Sequence, residues 1–214
     1  MRIFVINLAK RKDRLEHMMR QLSAFERVEA MDGAVVRNPP VNRFLFWCSK
    51  GYGVKPGEIG CALSHRSVYD MMVRQGIDIA CILEDDVCLC KDFESRIEAL
   101  GAELRTEVPT ALTFSETTAG YLINQSGARL ILSANSPICS TADDWWRWGR
   151  AGLKWRVVGG ILDIPQYGNP LAEGIAKSDI IGDASQFVVN MSWGRKVVFK
   201  LGRVIGKAVD CIWR

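Results

Sequence analysis

Apolar positions recur along this chain in two rhythms, one of strands and one of helices. Arg2–Leu8 is a short β-branched run that predicts a first strand. In Ala9–Leu22, the residues Leu15, Met18, Met19 and Leu22 recur at helical spacing with charges between them. Phe25–Ala30 predicts a second strand, closed by the turn Met31-Asp32-Gly33. Val35–Gly57, with Pro39, Pro40 and Pro56, reads as a long irregular loop, a kind of segment that is uncommon unless functional. Glu58–Gln75 predicts a helix stopped by Gly76, with Ile59, Ala62, Leu63, Tyr69 and Val73 on one face. Asp78–Leu83 ends apolar on both faces, the pattern of a central parallel strand. Further on, Phe93–Glu107 and Ser126–Ala134 read as helices, and Ala111–Phe114, Tyr121–Ile123 and Val157–Ile164 as strands. Asp143–Arg150 is rich in tryptophan. The alternation of strand and helix predicts an α/β fold.

The 214 residues suffice for one such domain with a sizeable core, or at most two small ones. A hydrophobic share of 48% with 24% charged residues is ordinary globular composition, so neither a disordered nor a fibrous chain is expected. The net charge of +4 is too mild to argue for a nucleic-acid partner, and none is expected. Seven cysteines are an odd number at irregular spacing, and Ile3-Phe4-Val5-Ile6 begins as a strand where a signal peptide would begin otherwise. Reduced thiols and a cytoplasmic location are the expectation. Cys88 and Cys90 resemble half a zinc site. The two histidines, His17 and His65, lie elsewhere along the chain and no second cysteine pair matches, so structural thiols are expected. No apolar run reaches the ~18 residues of a membrane span.

Chemistry enters at Ile82-Leu83-Glu84-Asp85-Asp86, where an apolar strand ends in three adjacent carboxylates. Their mutual repulsion is relieved by a divalent cation, and hard cations such as Mn²⁺ or Mg²⁺ take carboxylate oxygens while holding substrate phosphates. A solvated acidic turn is the bland alternative. Strand alternation would put Glu84 and Asp86 on one face, as metal ligands, and Asp85 on the other, against a ribose hydroxyl or a backbone amide. In open α/β sheets ligands bind beyond the carboxyl ends of strands. The first strand ends there too, in Asn7-Leu8, followed by Lys10, Arg11 and Arg14, basic groups suited to a nucleotide's phosphates or else to a solvated helix face.

Five blocks, in order, resemble the family 25 glycosyltransferases of lipopolysaccharide and lipooligosaccharide synthesis. They are Val5-Ile6-Asn7-Leu8 with Arg11 and Arg14, Val28-Glu29-Ala30-Met31-Asp32-Gly33, Gly57-Glu58-Ile59-Gly60-Cys61-Ala62-Leu63-Ser64-His65, Ile82-Leu83-Glu84-Asp85-Asp86-Val87 and Gly120-Tyr121-Leu122-Ile123. The resemblance covers roughly the first 145 residues; beyond about residue 150 it is loose, although Lys177-Ser178-Asp179-Ile180 is similar to a late family segment. It implies a GT-A-like single domain over residues 1–193, with a mixed, mostly parallel sheet flanked by helices. It implies a UDP-sugar donor, typically UDP-galactose, with Mn²⁺ or Mg²⁺, and inverting transfer to a saccharide hydroxyl. The acidic motif then serves as the metal site, through Glu84 and Asp86. Asn7, Leu8, Arg11, Arg14, Asp32, Gly33, Ser64, His65 and Asp85 become the nucleotide-sugar contacts. For His65 fold support is the rival role, and for Glu58 capping of its helix. An inverting transfer needs a carboxylate base. Asp143, Asp144 and Glu116 are the candidates; Asp143 and Asp144 are favoured because a family aspartate falls in that region and Trp145 and Trp146 could stack on sugar faces. Asp143 capping a following helix is the structural alternative.

Only Cys88–Ala119 separates the acidic motif from the Gly-Tyr block, a shorter stretch than the family generally carries. That leaves a degenerate, non-catalytic nucleotide-sugar- or glycan-binding member as the alternative function. Residues 194–214 read as a separate unit. Arg195, Lys196, Lys200, Arg203, Lys207 and Arg214 stand against Asp210, with Val197, Leu201, Val204, Ile205, Ala208, Val209 and Ile212 at helical spacing and Trp213 near the end. Such a basic amphipathic helix suits an anionic membrane surface, placing the enzyme peripherally on the inner face of the cytoplasmic membrane. Packing on the domain is the other reading.

Overall fold

A computed structural model describes residues 1–164. The expected late family segment 177–180 and the C-terminal amphipathic helix 194–214 lie outside the described residues. Strand β1 (Arg2–Asn7) leads into α1 (Lys12–Met19), then β2 (Glu26–Glu29), α2 (Arg43–Lys50) and α3 (Pro56–Gln75). After these come β3 (Ile79–Glu84), β4 (Cys88–Leu89), α4 (Phe93–Gly101), β5 (Thr110–Thr113), β6 (Gly120–Asn124), α5 (Gln125–Ala134), α6 (Trp145–Arg150), β7 (Lys154–Val157) and β8 (Leu162–Asp163). Six strands form one sheet in the order β2-β1-β3-β6-β5-β7, and β4 pairs with β8 apart from it.

The sheet is mixed. β1 runs parallel to β2 and to β3, and β5 parallel to β7, whereas β6 runs antiparallel to β3 and to β5. This is the helix-flanked mixed sheet expected of a GT-A-like domain. It corrects the reading of β3 as a strand with parallel neighbours on both sides. An apolar strand pattern reports burial on both faces, which β3 has, and says nothing of a neighbour's direction.

Alternation assigns each side chain to a face. Phe4, Ile6, Ala80, Ile82, Tyr121 and Ile123 pack with Val68, Tyr69 and Met72 of α3, Ala128 and Ile131 of α5, and Trp145 and Trp148 of α6. Val5, Cys81, Leu83, Leu112 and Leu122 pack on the opposite side with Met18 of α1 and Phe93 and Ile97 of α4. Burying this two-sided core, at about 25 cal/mol per Å² of apolar surface, is the main drive that orders the sheet.

Three segments differ from the sequence expectation. The stretch taken as an irregular loop contains α2, where Asn42 Oδ1 accepts from the Leu45 amide and Gly51 ends the helix at φ 78°. Prolines on both sides hid an eight-residue helix that its own caps define. The single late strand over 157–164 is instead two, β7 and β8, separated by Gly159 and Gly160, the latter at φ 70°. The helix over 93–107 stops at Gly101 and continues only as a short 3₁₀ turn, Ala102–Leu104.

Candidate active site

The carboxyl ends of β1 and β3 lie side by side, with Ile6 opposite Glu84 in register. Glu84, the last residue of β3, meets His65 of α3, and Asp85, just past the strand end, meets Arg14 of α1, so two separate hydrogen-bond systems form. On the α1 face Asn7 Nδ2 donates to Asp85 Oδ2 at 2.6 Å and to the Arg11 carbonyl at 2.9 Å. Arg14 Nη1 lies 2.9 Å from Asp85 Oδ1 and 3.1 Å from Asp86 Oδ2. Asn7, Arg14 and Asp85 are all buried. Arg27 adds a bond the sequence pattern does not announce, its Nε donating to Asn7 Oδ1 at 2.9 Å.

On the α3 face His65 Nε2 stands 3.4 Å from Glu84 Oε1, and the Thr118 hydroxyl donates to the same oxygen at 2.6 Å. The other ring nitrogen, Nδ1, is 2.8 Å from the Tyr121 hydroxyl, which in turn lies 2.7 Å from that of Tyr69. His65 is 1% exposed, so it acts on the site through Glu84 and not as a surface-facing substrate ligand. Thr118 sits in a loop without periodicity, and no sequence signal marks it.

Asp86 does not follow the strand rhythm. β3 ends at Glu84, and Asp85 and Asp86 turn away from the sheet, so one arginine nitrogen reaches both aspartates. Asp86 therefore stands between Arg14 and Glu84, in reach of both, because period-two alternation holds only while the strand lasts. Burial, the Glu84 charge and the Asp85 charge push the Asp86 carboxyl up to about 7, against the pull of Arg14. Burial also raises Asp85, opposed by Asn7 and Arg14. For Glu84 burial acts upward too, but the hydrogen bond and charge of His65, with Thr118 and Arg14, hold it below the usual carboxylate range. The cluster thus keeps more negative charge than Arg14 neutralises. That uncompensated charge is the physical opening for a divalent cation at Glu84 and Asp86.

The loop after β2 is fixed by contact between two backbones. A Cβ on Gly33 would lie 1.7 Å from the Pro56 carbonyl oxygen, and one on Gly60 would lie 2.4 Å from the Met31 carbonyl oxygen. Ser64 helps hold this seam, its hydroxyl 2.8 Å from the Met31 amide and 2.7 Å from the Gly60 carbonyl. Ser64, predicted as a donor contact, is buried in this structural task. Asp32 pairs with Lys10 at 2.9 Å. Leu8 is half-buried, and Arg11 pairs with Asp13 at 2.9 Å. Gly60→Ala is expected to cost about 1–3 kcal/mol, because the clash is with backbone that cannot rotate away. Chemical denaturation checks it, and an unchanged midpoint would remove the seam's importance.

The two aspartates before α6 have different settings. Asp144 caps α6, accepting from the Arg147 amide at 3.3 Å, and meets Lys50 Nζ at 3.0 Å and the Ser140 hydroxyl. Burial raises its carboxyl, but Lys50 and Ser140 outweigh that and hold it low. Asp144 rather than Asp143 is therefore the capping residue, and its carboxylate is committed to the fold. Asp143 is exposed, and its charge reaches the Cys61 thiol, one helical turn before His65. Trp145 is 1% exposed and meets Tyr121 edge-on at 5.1 Å, so it cannot stack on a sugar. Trp146 is 74% exposed. Glu58 caps α3, accepting from the Lys55 amide at 2.7 Å and from the Tyr52 hydroxyl at 2.5 Å.

Comparison with known proteins bears on the same region. The family model described as glycosyltransferase family 25 (LPS biosynthesis protein) matches residues 1–115. Inactive glycosyltransferase 25 family member 3 of Homo sapiens is 32% identical over 116 residues, 49% of this chain and 20% of that protein. Procollagen galactosyltransferase 2 is 30% identical in Homo sapiens and 34% in Mus musculus, each over 171 residues, 62% of this chain and 27% of theirs. The chain thus matches between a fifth and about a quarter of the length of these relatives. With more than half of its residues under the family model, and with the acids, Asn7, Arg14 and His65 all inside that span, the chain belongs to glycosyltransferase family 25.

Proposed function

We propose that this chain transfers a hexose, galactose from UDP-galactose, with inversion to a hydroxyl of a lipooligosaccharide-type acceptor. The observation that carries the reading is the convergence of Glu84, Asp85 and Asp86 at the carboxyl end of β3, with Asp85 and Asp86 sharing Arg14 and Asp85 bonded to Asn7, in a family 25 chain. Glu84 and Asp86 would hold Mn²⁺ or Mg²⁺, which as a Lewis acid neutralises charge on the departing diphosphate. Asn7 and Arg14 fix Asp85, and His65 and Thr118 fix Glu84, so the acids are oriented before the donor arrives. Asp143 is the base, because Asp144 is already engaged and Asp143 is exposed.

Asp143→Asn is expected to lower transfer at least 10²-fold while leaving the melting temperature unchanged. Asp144→Asn should instead lower stability, with the loss falling away toward acid pH, where the depressed carboxylate of the parent is itself protonated. A transfer assay on Asp143→Asn that shows parental rates would sink the base assignment.

A second reading has an observation of its own, since a relative 32% identical over 116 residues is named inactive. A degenerate member would bind UDP in the presence of Mn²⁺ and turn nothing over. Calorimetry followed by a turnover assay with UDP-galactose separates the two.

No helix among the described residues is long and apolar enough to cross a membrane. We place the chain in the cytoplasm, held peripherally to the membrane by the basic pattern of residues 194–214. Liposome flotation on anionic vesicles should show the full chain bound and a chain ending at Ser192 unbound; equal flotation would end that proposal.

A further inference from the structure

We propose that Cys61, His65 and Glu84 form a binding site for a borderline divalent cation of the Zn²⁺ class, distinct in ligand set from the Glu84–Asp86 pair. Cys61 and His65 stand four residues apart on α3, hence on one face, and β3 delivers Glu84 against them. Their three ligand atoms all lie within 4.8 Å of one another. Two ligands of a tetrahedral zinc ion, one nitrogen and one oxygen at about 2.0–2.1 Å from the metal, are about 3.3 Å apart. His65 Nε2 and Glu84 Oε1 are already 3.4 Å apart. The Cys61 Sγ completes the set within 4.8 Å of both.

The surroundings are those of a built site. A histidine that binds metal through one nitrogen has its ring set by a hydrogen bond at the other. Here Nδ1 is anchored on the Tyr121 hydroxyl, backed by Tyr69, which leaves Nε2 facing the centre. Thr118 does the same for the carboxylate, donating to Glu84 Oε1 at 2.6 Å and lying 3.9 Å from Cys61 Sγ. Thiolate and imidazole select zinc or cobalt over magnesium, whose preference is for oxygen alone. One thiolate and one carboxylate balance the charge of the ion, and three protein ligands leave the fourth position for water or a substrate oxygen. The site does not depend on the transferase reading, although Glu84 is common to both.

Co²⁺ titration of the full reduced chain provides the test. A thiolate-to-cobalt charge-transfer band and intense visible bands are expected, and Zn²⁺ should displace them. Cys61→Ser should abolish the charge-transfer band, and Tyr121→Phe should weaken cobalt binding about 10–100-fold. The rival thiol is Cys88, whose Sγ is 4.0 Å from His17 Nε2. A band that survives Cys61→Ser and disappears in Cys88→Ser would overturn the assignment. Should Cys61→Ser fail to fold, alkylation of the parent protein decides. Zn²⁺ should protect Cys61 specifically, and equal labelling of Cys61 with and without the ion would overturn the site.

Discussion

Asp86→Asn is expected to do two opposite things, reducing sugar transfer by about 10²–10³-fold and making the metal-free protein more stable. The first effect follows if the residue holds the cation, since Lewis-acid stabilisation of the leaving group is worth several kcal/mol. The second follows from the buried charge. The folded state raises the Asp86 carboxyl to about 7, first through burial and then through Glu84 and Asp85. A carboxyl whose folded pKa lies above its unfolded value binds its proton more tightly when folded, so it stabilises the protein at low pH. That contribution is lost as pH rises from about 4 to about 7. Asparagine imitates the protonated acid, so the variant's advantage should be largest above pH 7, on the order of a few kcal/mol, and should vanish below about pH 4. Melting curves at acid and alkaline pH check this alongside the transfer assay. A variant destabilised at pH 8 would show that Arg14 overcompensates the cluster. Parental transfer would show that Asp86 holds no essential ion.

Arg14→Leu should be the most damaging single change to the fold near the site. Arg14 and Asp85 are both buried, and Arg14 Nη1 is shared between Asp85 and Asp86. Removing the cation of a buried pair leaves uncompensated carboxylates, at a cost of about 3–5 kcal/mol. In a chain of this size that lowers the melting temperature by roughly 6–20 °C. Acidification should recover part of the loss, because protonating the two aspartates removes the charge left behind. Thermal melts across pH report both parts, and a pH-independent deficit would indicate lost packing instead. The double variant Arg14→Leu with Asp85→Asn should be less destabilised than the sum of its parts, since the partners are in contact.

The sequence made the strands and long helices legible because their apolar periods are set by the two-sided core. The same rhythm separated Glu84 from Asp85. It stops short of Asp86, where the strand has already ended, and it failed at α2, where capping by Asn42 and Gly51 defines a helix too short for a period to register. The direction of β6 was not readable, since antiparallel and parallel burial leave the same apolar pattern. Of the site residues, those gathered at strand ends could be found, and Asn7, Arg14 and Asp85 do meet. Ser64 and Asp144 carry the right residue types in the right blocks, yet their side chains serve the Met31 amide and the α6 terminus. Arg27 and Thr118 could not be found, because each reaches the site across tertiary space from an exposed strand or an aperiodic loop.

The position of β6 at the centre of the sheet, late in the described chain, also sets which pairings must wait for it. β1 cannot close on β3 until some 70 residues more have been made, and β3 then remains an open edge until Gly120–Asn124 arrives to pair with it. β5 depends on that same strand to join the sheet at all. A fragment ending at residue 115 would hold all three acids and most of the recognisable motifs, yet expose the backbone of its central strand. Emerging from the ribosome, the acidic end of β3 therefore takes shape late, when the Gly-Tyr block docks and brings Thr118 to Glu84. The central strand pair and the chemical centre thus depend on one another, so a chain that has not completed that pairing has no Thr118 bond to orient Glu84.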